Sequence, residues 1–308
     1  MKNAIKYYYN IDINEFHQYN QEFRFNNANN QYILFPYNGI DIELEEKYKL
    51  QLYINSIGIN CHTIKKNNNG KLFTIINNKK YVLIQIQTET RPITINDIIT
   101  FTNININAEY FNYINRSEWY KMWKIKVDYI EYQITQFGKK YPAIRESIDY
   151  YIGISETCIS LLTNIKKSKT PQSCMHNRIS EKTTTIEFFN PLNFIIDQRI
   201  RDFGEYLTSK LYEQQDIILL IDTYIKKNTF SQEEVILLFI RIMYPSNYFD
   251  ICEEIIEKKS SEEKLKELIE KINIFEINLK KIYQHIKKYT LAPEIEWLKD
   301  VSQYWQHL

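Results

Sequence analysis

Apolar and polar positions change their rhythm near residue 95. Before it, the sequence reads as short strands around one helix. Tyr7-Tyr8-Tyr9 has the propensity of a first strand. Tyr32-Ile33-Leu34-Phe35 is an apolar run closed by Pro36 and the Asn38-Gly39 turn signal. Leu44, Tyr48 and Leu52 recur at helical spacing, which predicts a helix over 42–57 with Gly58 at its stop. Further strands are predicted at 60–65, 71–76 and 80–87. The Asn67-Asn68-Asn69-Gly70 and Asn77-Asn78 steps between them suit hairpin turns.

From about Asp97 the period becomes helical. Trp119, Trp123, Val127 and Ile130 line one face of a helix opening at Ser117-Glu118, and the tryptophan pair at i, i+4 reads as core. A long helix is predicted over 142–164, then a loop-and-strand insert over 173–196. Ser231-Gln232-Glu233-Glu234 is a capping box opening 235–243. One long charged helix is predicted over 260–288, with Leu265, Leu268, Ile272 and Phe275 on its inner face. Its lysines and glutamates interleave as a solvated face. The expected class is α+β: a β-rich N-lobe at 1–93, a linker near 88–94, and a helical C-lobe at 94–308 with a short β insert near 173–197.

Composition narrows the function. Hydrophobic residues are 44 % and charged residues 25 %, a globular balance. A formal net charge of +1 gives no basic excess for nucleic acid. Only six glycines occur, which argues against a glycine-rich phosphate loop. Cys61, Cys158, Cys174 and Cys252 form no CxxC pair and the five histidines are scattered, so no metal is expected and the thiols read as reduced and packed. Neither 217–221 nor 235–240 approaches the ~18–20 apolar residues of a membrane span. The N-terminus carries no apolar signal core, so a cytosolic origin is expected.

The insert carries the informative residues. It reads Cys174-Met175-His176-Asn177-Arg178, then Pro191-Leu192-Asn193-Phe194 and Asp197, then Arg201-Asp202-Phe203-Gly204-Glu205-Tyr206. The order resembles the His-Gly-Asp loop, hairpin Asp and Asp-Leu-Ala of aminoglycoside and choline phosphotransferases. More closely, it resembles the kinase-like, YutH-type spore coat family, with its Cys-His-x-Arg loop, Pro-x-Asp-Trp and Asp-x-x-x-Arg-Asp-Leu-Ala-Glu-Trp. Upstream, Trp119–Trp123 and Tyr150-Tyr151-Ile152-Gly153-Ile154-Ser155-Glu156 resemble that family's helices; downstream, Leu238–Tyr244, Pro245 and Glu296-Trp297-Leu298 do. The match is good over 117–298 and vague over the first ~95 residues.

The resemblance implies a two-lobed, protein-kinase-like fold of the aminoglycoside phosphotransferase type with its chemistry removed. Counted from His176, the catalytic Asp falls at Arg178, and a guanidinium has no acceptor. The metal-binding Asn falls at Thr183 and the hairpin Asp at Asn193; Mg²⁺ sites lean on carboxylates. The phosphate-binding Lys falls near Phe35. By the same resemblance His176, Arg201 and Asp202 are structural loop anchors, Asp202 as the first-turn acid of the following helix. Asp202-Phe203-Gly204 spells the protein-kinase metal tripeptide but lies beyond the Asp197 loop, which is taken as exposed.

The implied function is a catalytically inactive, structural or interaction component of the bacterial spore coat. It would be made in the mother-cell cytoplasm, need no cofactor, and partner other coat proteins. The alternatives are an atypical small-molecule phosphotransferase using Asp197 or Asp202, and a nucleotide-sensing pseudokinase.

Overall fold

The computed structural model describes residues 1–19, 21–28, 30–165, 170–213 and 216–299. Contacts divide the chain into two compact units: Met1–Thr94 with Ile104–Arg116 and Gln172–Asp197, and Ile95–Asn103 with Ser117–Pro171 and Gln198–Leu308. The 172–197 segment, expected with the helices, groups by its contacts with the N-terminal unit.

The first unit opens with α1 (Lys2–Tyr9), where a strand was expected at Tyr7–Tyr9. Helical spacing wins over the β-propensity of three tyrosines, because Ile5 and Tyr9 at i, i+4 bury together against Phe25, Leu34 and Leu83. A hairpin that the sequence reading missed follows: β1 (Glu15–Tyr19) and β2 (Glu22–Asn27). Then come β3 (Asn30–Pro36), α2 (Asp41–Ser56), β4 (Thr63–Lys65), β5 (Thr74–Ile76) and β6 (Lys79–Ile86). All pairings are antiparallel, in the order β1-β2-β3-β6-β4, with β5 also on β6. The turn before β6 places Asn77 and Asn78 at φ 50° and 60°, a region asparagine tolerates.

The second unit is helical: α3 (Ile95–Thr102), α4 (Trp119–Phe137) and α5 (Pro142–Asn164), the last as expected with Pro at its first turn. In the first unit, β7 (Gln172–His176), α6 (Thr185–Phe188) and β8 (Phe194–Gln198) make up the insert, β7 pairing with β8. Helices then run to the end: α7 (Arg201–Thr208), α8 (Ile218–Lys226), α9 (Gln232–Met243), α10 (Ser246–Ile256), α11 (Glu263–Ile269), α12 (Ile272–Ile286) and α13 (Glu296–Lys299).

The capping box at α9 forms as predicted. Ser231 Oγ accepts from Glu234 N at 3.2 Å, and the Glu234 carboxylate accepts from Ser231 N at 2.9 Å. The expected single helix over 260–288 is instead two, α11 and α12, broken at Glu270-Lys271. Residues 232–256 taken together are long and apolar enough to cross a membrane, contrary to the sequence reading. Yet 83 % of its most apolar 18-residue window is buried inside the protein, and Pro245 separates the stretch into α9 and α10. Trp119 and Trp123 are buried, stacked on each other, and Trp123 stacks on Tyr244 at 3.9 Å.

Candidate functional site

The insert is held by its own backbone and by α2. β7 delivers His176 to its end with the imidazole fully buried. Its Nε2 lies 2.7 Å from the Phe188 carbonyl, and the ring stacks on Phe188 at 4.0 Å. The following loop closes through Asn177 N, which donates to the Asn193 carbonyl at 2.9 Å. α6 is opened by a second capping box, Thr184 with Glu187, which commits the Glu187 carboxylate.

Each residue singled out in the loop has a definite place. Arg178 is exposed just after β7, and its Nη1 donates to the Asn177 carbonyl at 3.1 Å. Thr183 is buried; its hydroxyl accepts from Ser180 N at 2.8 Å, and its carbonyl accepts from Ile93 N at 3.1 Å. Asn193 ends the short 3-10 turn Pro191–Asn193, and its side-chain Nδ2 donates to the Glu187 carbonyl at 2.9 Å. That amide holds a turn. Phe35 lies on β3 opposite Val82 and packs on a cluster of Tyr37, Leu44, Ile64, Val82 and Ile84.

Asp197 departs from expectation. It stands on β8, not on an exposed loop, and is fully buried. Burial of both strand faces explains this: Phe194, Ile195, Ile196 and Asp197 are buried in succession, so the carboxylate is carried inside with its neighbours. Within 172–198 the acids are Glu181, Glu187 and Asp197. In the second unit, Arg201 and Asp202 sit in the first turn of α7, both buried. Among the described residues, no group of three or more His, Cys, Asp or Glu side chains could hold a metal ion.

Sequence reasoning missed two charged residues on the inner side of α2. Lys47 is buried, with Nζ 2.7 Å from the Leu192 carbonyl and 3.2 Å from Glu43 Oε1. Burial pushes its pKa down, partly opposed by Glu43. Glu46, also buried, accepts from three successive backbone groups: Asn112 N at 3.1 Å, Tyr113 N at 2.9 Å and Ile114 N at 3.1 Å. A signal for Lys47 existed, since it falls between Leu44 and Gln51 in the helical stripe 44-47-51-54 that α2 buries. The loop thus offers an imidazole bonded to a carbonyl, a guanidinium, an amide bound to backbone and one buried carboxylate.

Comparisons with known proteins fit this geometry. The sequence profile of the family described as spore coat putative kinase YutH matches residues 2–289. The endospore coat-associated protein YutH of Bacillus subtilis (strain 168) is 25 % identical over 210 residues, covering 59 % of this chain. The chain spans 61 % of the length of that curated relative. Among solved structures, an aminoglycoside phosphotransferase from Alicyclobacillus acidocaldarius superposes with a TM-score of 0.68 at 8 % identity, covering 94 % of this chain and 96 % of that one. Spectinomycin phosphotransferase in its AMP-bound complex gives 0.60 at 12 % identity over 92 % and 96 %. Amicoumacin kinase gives 0.57 at 12 % over 95 % and 94 %. At such identities the likeness shows the fold alone: α+β, of the aminoglycoside phosphotransferase, kinase-like type.

Proposed function

The chain belongs to the spore coat putative kinase YutH family, and from that premise we propose that it is a catalytically inactive kinase-fold component of the bacterial spore coat. It acts through partners in the coat rather than by phosphoryl transfer.

Arg178 carries the reading. A phosphotransferase of this fold needs a carboxylate to take the proton of the attacking hydroxyl. Two residues after His176 stands a side chain with five donors and no acceptor, turned onto its own neighbour's carbonyl. The remaining donor set fits a Mg²⁺-nucleotide poorly. Asn193 brings an uncharged Oδ1 in place of a carboxylate, with its Nδ2 donating to the Glu187 carbonyl; the Thr183 hydroxyl oxygen already accepts from Ser180 N; and Phe35 stands at the β3 position that the resemblance gives to the phosphate-binding Lys. The coat assignment draws on the Bacillus subtilis relative, which is described as endospore coat-associated. The proposal includes synthesis in the mother-cell cytoplasm and partnership with other coat proteins.

One observation favours a second reading. Asp197 keeps a carboxylate on β8, the strand paired with the one that ends in His176. A nucleotide-sensing pseudokinase, or an atypical phosphotransferase, would use that group.

A fluorescent fusion followed through sporulation tests the coat assignment. The signal is expected to gather around the forespore and stay with the purified spore. A diffuse vegetative signal that never reaches the forespore would contradict it.

A further inference from the structure

The first unit has a second surface that the loop chemistry does not use. α2 and the loop between β4 and β5 enclose a groove of about 530 Å³, within the size range of ligand sites. Its floor is apolar, made by Leu44, Tyr48, Leu52, Leu72 and Phe73. Leu52 is 47 % exposed there, so the floor has apolar surface open to an occupant.

The rim is cationic. Lys49, Lys66 and Lys71 surround the floor, and the Lys66 ammonium stands 5.0 Å over the Tyr48 ring. Two acids also line the groove, but Asp41 is neutralised by Lys80, leaving Glu45. Among the described residues no ion pair engages Lys49 or Lys71.

The wall is built rather than loose. Asn67 is buried, and its Nδ2 donates to Phe73 O at 2.9 Å and Thr74 Oγ1 at 3.2 Å. Its Oδ1 accepts from Asn69 N and Lys71 N, each at 3.0 Å. Asn68 ties the same loop to the end of α1 through the Tyr7 and Tyr8 carbonyls, at 2.8 and 2.7 Å. Gly70 supplies the φ of +75° that the turn requires. A preformed wall lowers the ordering cost of an occupant.

We propose that this groove docks an acidic segment of a partner protein, one that presents an aromatic or branched aliphatic side chain between Asp or Glu residues. The apolar floor takes the side chain and the unpaired lysines take the flanking carboxylates. A free inorganic anion would leave the floor unused, and an uncharged apolar ligand would leave the lysines unused. A second copy is a poorer match: its own acid–apolar–acid stretches, Glu294-Ile295-Glu296 and Glu267-Leu268-Ile269-Glu270, keep Ile295 and Leu268 buried in its own fold, and Glu294 and Glu296 are already paired with Lys299. The proposal takes from the coat reading only that the chain works through partners. Its failure leaves that reading standing, because localisation tests the latter separately.

The test is fluorescence anisotropy with the full chain and a labelled decapeptide carrying a central Phe-Ile pair flanked by glutamates. Saturable binding is expected, weakening as salt is raised. Lys49→Glu combined with Lys71→Glu should weaken it by about tenfold or more, since each reversal replaces an attraction by a repulsion. Replacing the peptide's Phe-Ile pair by alanines should weaken it similarly. Lys124→Glu, on α4, should leave it unchanged. No saturable binding at millimolar chain overturns the proposal. So does equal binding of a peptide with lysines for glutamates, or unchanged binding by the double variant at an unchanged melting temperature. Self-association in sedimentation that the double variant abolishes would make the occupant a second copy, and would overturn it too.

Discussion

Arg241 of α9 and Glu205 of α7 form a buried ion pair. The guanidinium lies 5.3 Å from the Trp119 ring and 5.6 Å from the Trp123 ring, so one cation joins α4, α7 and α9. The same arginine explains the glycine in Asp202-Phe203-Gly204. A Cβ at 204 would lie 2.7 Å from Arg241 Cγ, so this glycine makes room for packing and implies no metal chemistry.

Removing one partner strands the other in the core. Arg241→Ala and Glu205→Ala should each cost about 3–5 kcal/mol, whereas replacing both with apolar residues of similar volume should cost much less. Urea unfolding followed by tryptophan fluorescence measures both. A loss near zero for either single variant would show that the pair is open to water.

Glu46 should be similarly sensitive in the first unit. Its carboxylate serves the amides of 112–114, and hydrogen bonds to a charged group contribute about 1.5–3 kcal/mol each. Glu46→Ala should therefore raise hydrogen exchange at Asn112, Tyr113 and Ile114 well before global unfolding. Unchanged protection there would remove Glu46 from its assigned role.

His62 gives the fold a pH dependence. Burial pushes its pKa down to about 4, while its Nδ1 accepts from Gln87 N at 3.2 Å. The unfolded chain binds the proton more readily. The stabilisation is therefore full above about pH 6.5 and is lost as pH falls toward about 4, on the order of 3 kcal/mol. His62→Asn, which keeps an acceptor near the Nδ1 position, should flatten the melting-temperature profile across that window. A slope equal to the parent's would assign the dependence to other groups.

In the sequence Asp202 reads as the first-turn acid of a helix and Asp197 as a more exposed loop residue; Asp202 does stand in the first turn of α7, whereas Asp197 is buried on β8. Both carboxylates are fully buried. Asp197→Asn and Asp202→Asn should each lower the melting temperature in EDTA, because the amide puts a donor where a buried carboxylate oxygen was, metal or no metal. An Asp197→Asn protein as stable as the parent in EDTA would point to a carboxylate kept for a ligand.

What could be read in advance follows from how local each signal is. Pro142–Asn164 and the Ser231 capping box are specified within a few residues and were legible. So was the Trp119–Trp123 face. α1 was not, since three adjacent tyrosines favour a strand and only tertiary packing of Ile5 and Tyr9 settles it. β1 and β2 escaped because only Phe25 of that hairpin is fully buried, so the alternation is faint. The break between α11 and α12 falls at Glu270-Lys271, two good helix formers, which leaves no local mark. In the loop, Arg178 and Asn193 were visible as residue types. The bond that commits the Asn193 amide to Glu187 O was not.

The central claim is that this kinase fold does not bind Mg-ATP for phosphoryl transfer. Isothermal titration calorimetry of the full chain with Mg-ATP tests it most directly, with Arg178→Asp/Asn193→Asp alongside. The account predicts no saturable heat for the parent at millimolar nucleotide. Saturable binding by the parent that requires Mg²⁺ and is abolished by Asp197→Asn would contradict it.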